Sequence, residues 1–126
     1  MKKIILTENA PAPIGPYSQA VEVGNMVYCS GQIPLDPKSG QVLTGDVQAQ
    51  AALVMKNIEA VLSAAGLQFK NVVKTTIFLT DMKDFVAVNE IYGKYFPENP
   101  PARSTVAVAG LPKGVQVEIE VIASRN

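Results

Sequence analysis

Near the C-terminal end, two acids and one arginine are spaced so that a pleated strand would gather them. From Val115 to Val121, the residues Gln116, Glu118 and Glu120 alternate with Val115, Val117, Ile119 and Val121, so one side of a strand there is apolar and the other carries carboxylates. Upstream, Arg103, Thr105 and Ala107 alternate with Ser104, Val106 and Val108, which puts a guanidinium, a hydroxyl and a small gap on one face. A guanidinium grips a carboxylate through two parallel hydrogen bonds, and a carboxylate orients or deprotonates water. With a turn at Leu111-Pro112, antiparallel pairing of the two strands sets Arg103 within reach of Glu118 or Glu120. The same spacing also describes a plain cross-strand ion pair worth a few tenths of a kcal/mol. Both readings stand at this point.

Composition narrows the chemistry. Eleven acids balance eleven bases in 126 residues, and the mean hydropathy is +0.17, which gives no electrostatic reason to seek nucleic acid or an anionic membrane. No apolar run reaches the length of a membrane span, and Ile4 to Leu6 is too short for a signal peptide; the expected location is the cytoplasm. There is no histidine, so the commonest general base and the commonest zinc ligand are missing. Cys29 is the only cysteine. It reads as a small buried apolar residue and not a nucleophile, because there is no histidine to activate it.

The elements that must position these groups follow in order. Lys2 to Leu6 reads as an edge strand, followed by an ordered loop in which Pro11, Pro13 and Pro16 forbid pairing and deliver Tyr17 to the next strand. Ser18–Val23 and Met26–Ser30 flank Gly24-Asn25, a tight-hairpin dipeptide. Gly31, just beyond, marks a bulge or strand end where a backbone or ligand comes close. A helix starts near Asp46 with the stripe Val47, Ala51, Val54, Ile58, Val61 and Ala65, and Gly66 ends it. Val72 to Leu79 is a strand whose end, Ile77-Phe78-Leu79, is apolar on both sides and so asks for cover on both. Asp81 caps a second helix with Asp84 in its first turn; Phe85, Val88, Tyr92 and Tyr95 form its buried stripe, with Asn89 beside it. Pro97, Pro100 and Pro101 pass the chain into the Arg103 strand. The sum is one α+β domain over residues 1–126, a mixed β-sheet with two helices packed on one face.

The strings PARSTVAV, LPKG and VEIEVIA, with IGPYSQA and SGQIP near the front, resemble the RidA family, the YjgF-type imine deaminases, from Thr7 to Ala123. The resemblance implies a chorismate mutase-like fold and a homotrimer with a barrel-like centre and its sites at subunit interfaces. It implies hydrolysis of 2-imino acids, 2-iminopropanoate and 2-iminobutanoate, to 2-oxo acids and ammonia, with no cofactor and no metal. On the matching positions it makes Arg103 and Glu118 catalytic, and lines the substrate pocket with Tyr17, Ser30, Gly31, Asn89, Arg103 and Thr105. Many family members carry cysteine where this chain has Thr105, so a thiol role there is excluded, and the position is expected to contribute its size and its backbone N–H. An imine carbon is already electrophilic, so the lack of histidine suits this reaction. Two competing roles attributed to relatives are a non-catalytic small-acid or protein-binding regulator and RNA cleavage. The neutral charge weighs against the second.

Overall fold

A computed structural model describes residues 1–126 as a six-stranded mixed sheet with two α-helices. The strands are β1 (Lys3–Ile5), β2 (Ala20–Val23), β3 (Met26–Gln32), β4 (Val72–Leu79), β5 (Ala102–Ala107) and β6 (Val117–Ser124), and the helices are α1 (Val47–Ala64) and α2 (Phe85–Gly93). Their order across the sheet is β1-β2-β3-β6-β4-β5. No helix is long and apolar enough to cross a membrane.

Local chemistry sets the helix limits. Asp46 caps α1 by accepting from Gln48 N at 3.0 Å. At the other end Gly66, at φ 75°, lets Gly66 N reach Ser63 O and Leu67 N reach Leu62 O at 2.9 and 2.8 Å, which satisfies carbonyls that the last turn would otherwise orphan. Asp81 caps a single 3₁₀ turn, Met82–Asp84, rather than the α-helix itself. Because that turn uses up the capping signal, α2 begins at Phe85 and ends at Gly93, leaving Tyr95 beyond it.

The expected hairpin between the Arg103 strand and the Glu118 strand does not form. β4 lies between them, parallel to β5 and antiparallel to β6. Helix α2 supplies the crossover that parallel neighbours require, so β5 lands beside β4. The following loop then crosses the end of β4, with Val108 N bonding Leu79 O and Thr80 N bonding Gln116 O. Reading β5 and β6 as partners because they are consecutive missed that the strand apolar on both sides takes the inner place.

Side-chain alternation divides the sheet into two faces. Val27 and Cys29 of β3, Ile77 and Leu79 of β4, and Val117, Ile119, Val121 and Ala123 of β6 are buried with Val54, Ile58 and Val61 of α1 and Val88 and Tyr92 of α2 in one cluster. Burying such side chains stabilises by about 1.5–3 kcal/mol each. On the other face Ile4, Val23, Tyr28 and Val106 are exposed, and Phe78 and Ile122 are half-buried. The cover expected over Phe78 is not provided within one chain.

Candidate functional site

The alternation that sends Ile119 into the core sends Glu118 to the open face. Opposite it, β3 slips register between Cys29 and Gln32, and this bulge carries Ser30 and Gly31. A Cβ at Gly31 would overlap Glu118 Oε2 and come within 2.9 Å of its Cδ. Gly31 therefore clears the space that the carboxylate occupies. Burial pushes the Glu118 pKa above the usual carboxylate value, and the neighbouring Glu120 adds to this. The carboxylate opens into a cavity of about 470 Å³ whose lining includes Tyr17, Ser30, Gly31, Ile33 and Lys113.

The walls are held from behind. Gln19 is 1% exposed; its Nε2 donates to Thr7 O, Ala10 O and Pro11 O at 3.0, 3.3 and 2.9 Å, and its Oε1 accepts from Thr7 N at 2.7 Å. One buried amide thus satisfies the backbone of a loop that its prolines prevent from pairing. Tyr17 Oη accepts from Ile14 N at 3.3 Å, and Ser30 Oγ donates to Ser18 O at 2.6 Å. At the rim, Lys113 sits in a left-handed conformation at φ 57°, a strained state for a side chain with a Cβ. A larger hollow of about 670 Å³ lies beside α1, where Asp36, Lys38, Lys56 and Glu59 mix both signs of charge; it contains none of the candidate residues.

Arg103, Asn89 and Thr105 form a separate group. Arg103 Nη1 donates to Asn89 Oδ1 at 2.6 Å, and its Cζ lies 5.1 Å from the Tyr92 ring centroid and 5.5 Å from that of Phe85. Thr105 Oγ1 is buried without a hydrogen-bond partner. Arg103 pairs in register with Thr75, whose side chain faces the helices, whereas Glu118 pairs with Phe78 on the opposite face. Within one chain Arg103 therefore does not reach Glu118 or Glu120, contrary to the hairpin expectation.

Two half-sites result, one with Glu118, Tyr17, Ser30 and Gly31, the other with Arg103, Asn89 and Thr105. Sequence reasoning missed Gln19, Lys113, and the approach of Phe85 and Tyr92 to Arg103. Gln19 lies inside the IGPYSQA string, but nothing in a string shows an amide folding back on its own loop. The aromatic pair was legible only as a core stripe. No three His, Cys, Asp or Glu side chains are grouped to hold a metal. Burial pushes the Cys29 thiol up to about 12, which keeps it protonated and inert.

The family model described as Endoribonuclease L-PSP matches residues 7–125. A RutC family protein of Pyrococcus horikoshii is 53% identical over 126 residues, covering 100% of both chains. A 2-iminobutanoate/2-iminopropanoate deaminase of Escherichia coli is 53% identical over 129 residues, again with 100% of both covered. Among solved structures, Escherichia coli TdcF with bound serine superposes with a TM-score of 0.94 at 48% identity, covering 98% of this chain and 99% of that one.

Proposed function

The chain belongs to the Endoribonuclease L-PSP family, and from that premise we propose that it hydrolyses 2-imino acids such as 2-iminopropanoate and 2-iminobutanoate to 2-oxo acids and ammonia, acting in the cytoplasm. The observation that carries this reading is the desolvated Glu118 carboxylate, held in the space cleared by Gly31 at the back of an open cavity. A carboxylate with a raised pKa is a better proton acceptor than an ordinary one. Relatives that bear the deaminase name support the substrate class.

In the proposed reaction Glu118 takes a proton from water as the oxygen bonds to the imine carbon. That proton passes to nitrogen, giving a carbinolamine; Glu118 then takes the proton of the new O–H and hands it to nitrogen, the C=O forms as the C–N bond breaks, and ammonia leaves with the 2-oxo acid behind. Arg103 grips the substrate carboxylate by two hydrogen bonds, Tyr17 and Ser30 close the walls, and Asn89 and Thr105 flank the arginine. Because the two half-sites lie on opposite faces of the sheet, Arg103 of one copy is proposed to meet Glu118 of another. A homotrimer with its sites at the subunit interfaces meets that need and covers the apolar face that bears Tyr28 and Val106.

The family description also raises RNA cleavage. A chain with eleven acids and eleven bases lacks the excess positive charge that gathers phosphates. The deciding experiment generates the imine in situ and compares 2-oxo acid release with the spontaneous rate. A rate no faster than spontaneous, with the 2-oxo acid still bound, would leave a non-catalytic acid-binding protein instead.

A further inference from the structure

Arg103 stands on β5, an exposed edge strand, with a long side chain that loses about 2 kcal/mol of rotamer entropy when fixed. Yet its guanidinium is fixed, and no acid fixes it. The two ion pairs of the chain are Lys83–Asp81 and Arg125–Glu22. What holds Arg103 is one face of α2, where Phe85, Asn89 and Tyr92 follow at i, i+4 and i+7. Phe85 and Tyr92 bring their rings to 5.5 and 5.1 Å, within cation–π range, and Asn89 takes one N–H. Tyr92 is locked in turn, since its hydroxyl and Thr75 Oγ1 share a buried hydrogen bond of 2.8 Å and its ring packs on Phe96 at 4.8 Å. Thr75 is also the register partner of Arg103, so the path from Arg103 to Thr75 to Tyr92 closes on itself.

We infer that Phe85, Tyr92 and Thr75 are positioning residues that aim Arg103 at the substrate carboxylate with a cradle made only of neutral groups. The choice of neutral partners has a consequence. A carboxylate beside Arg103 would hold it as well, but would occupy the fork and cancel the charge that must meet an anion. Aromatic faces and one amide oxygen restrict the side chain and leave its full positive charge for an incoming acid. The inference rests on the reading of Arg103 as the anchor for the acid.

The test uses Phe85→Leu, Tyr92→Phe and Thr75→Val, each compared with the full-length wild type. Phe85 is only half-buried, so its variant reports even where changes beneath it perturb folding. The first readout is the side-chain NMR signal of Arg103, assigned by its loss in Arg103→Lys. In the wild type it should be ring-current shifted, with slowed guanidinium rotation, and in Phe85→Leu it should move toward the free-arginine position. The second is kinetic: Phe85→Leu should raise KM and the dissociation constant of the 2-oxo acid about tenfold, with kcat changed much less. Tyr92→Phe and Thr75→Val, which keep the ring at position 92 but remove its hydrogen bond to position 75, should show the same split at smaller size, and Phe85→Tyr should keep the wild-type KM. A wild-type Arg103 signal already at the free-arginine position would overturn the cradle. So would unchanged KM and oxo-acid affinity in Phe85→Leu. Should the wild type neither turn over imines nor bind the oxo acid, the anchoring role is lost, while the NMR signal still judges the cradle by itself.

Discussion

Glu118 is the residue on which the proposed chemistry turns. Glu118→Gln keeps its shape but removes the base, so turnover should fall by about 10²-fold or more. Affinity for the 2-oxo acid should survive, because Arg103 still grips the carboxylate. Glu120→Gln is the control on the same face. Equal, small losses at both positions would remove the base assignment. The pH dependence follows from the raised Glu118 pKa. In the proposed mechanism the ionised form is the active one, and in the substrate complex Arg103 is engaged by the substrate acid rather than by Glu118. The acid limb of the kcat profile should therefore lie above the ordinary carboxylate value of 4.5, and a limb at or below it would contradict the desolvated base. Gly31→Ala should fold, yet push the Glu118 carboxylate out of its space and lower turnover by about tenfold or more. At this scale the sequence was readable for residue types and for the alternation that sorts Glu118 from Ile119. That Gly31 serves Glu118 was not readable, because the two meet only across a bulge between β3 and β6.

Elements were legible where their signals are local. The α1 stripe with Asp46 and Gly66 at its ends, the Gly24-Asn25 hairpin and the span of β4 depend on neighbours within a few residues, and each stands where those neighbours put it. The partners of β5 and β6 depend on where a crossover lands, which no local pattern records. What fixes the start of β6 is a polar knot of the same long-range kind. Gln50 Nε2 donates to Gln116 Oε1 at 2.7 Å, Gln116 N donates to Gln50 Oε1 at 3.0 Å, and Gln116 Nε2 reaches Asp84 Oδ2 at 3.4 Å. Gln50 is 1% exposed, so Gln50→Ala strands the Gln116 N–H and amide oxygen. It should cost about 1–3 kcal/mol, read from the urea midpoint at constant slope. A loss below about 0.5 kcal/mol, the range of ordinary surface changes, would mean that water takes over both groups.

At the scale of the whole molecule, Arg103 and Glu118 lie on opposite faces of the sheet, and the proposed mechanism therefore makes assembly part of the active site. If each working site draws Arg103 from one copy and Glu118 from the next around a closed ring, two dead variants can repair each other. Arg103→Lys should stay folded and lose most activity, since a point charge cannot reproduce the two-pronged grip, and Glu118→Gln should be equally inactive. Mixed in equal amounts, dissociated and reassembled, they place a native arginine against a native glutamate at about a quarter of the interfaces. Activity should return to about a quarter of the wild-type value per site, and only after subunit exchange. A site built within one chain cannot behave this way, because no chain in the mixture carries both native residues. Tyr28→Glu, which sets a charge in the apolar open face, should give monomers in sedimentation and no turnover. Full activity in a monomeric Tyr28→Glu protein, or a mixture that stays inactive after exchange, would sink the shared site and require Arg103 to act elsewhere.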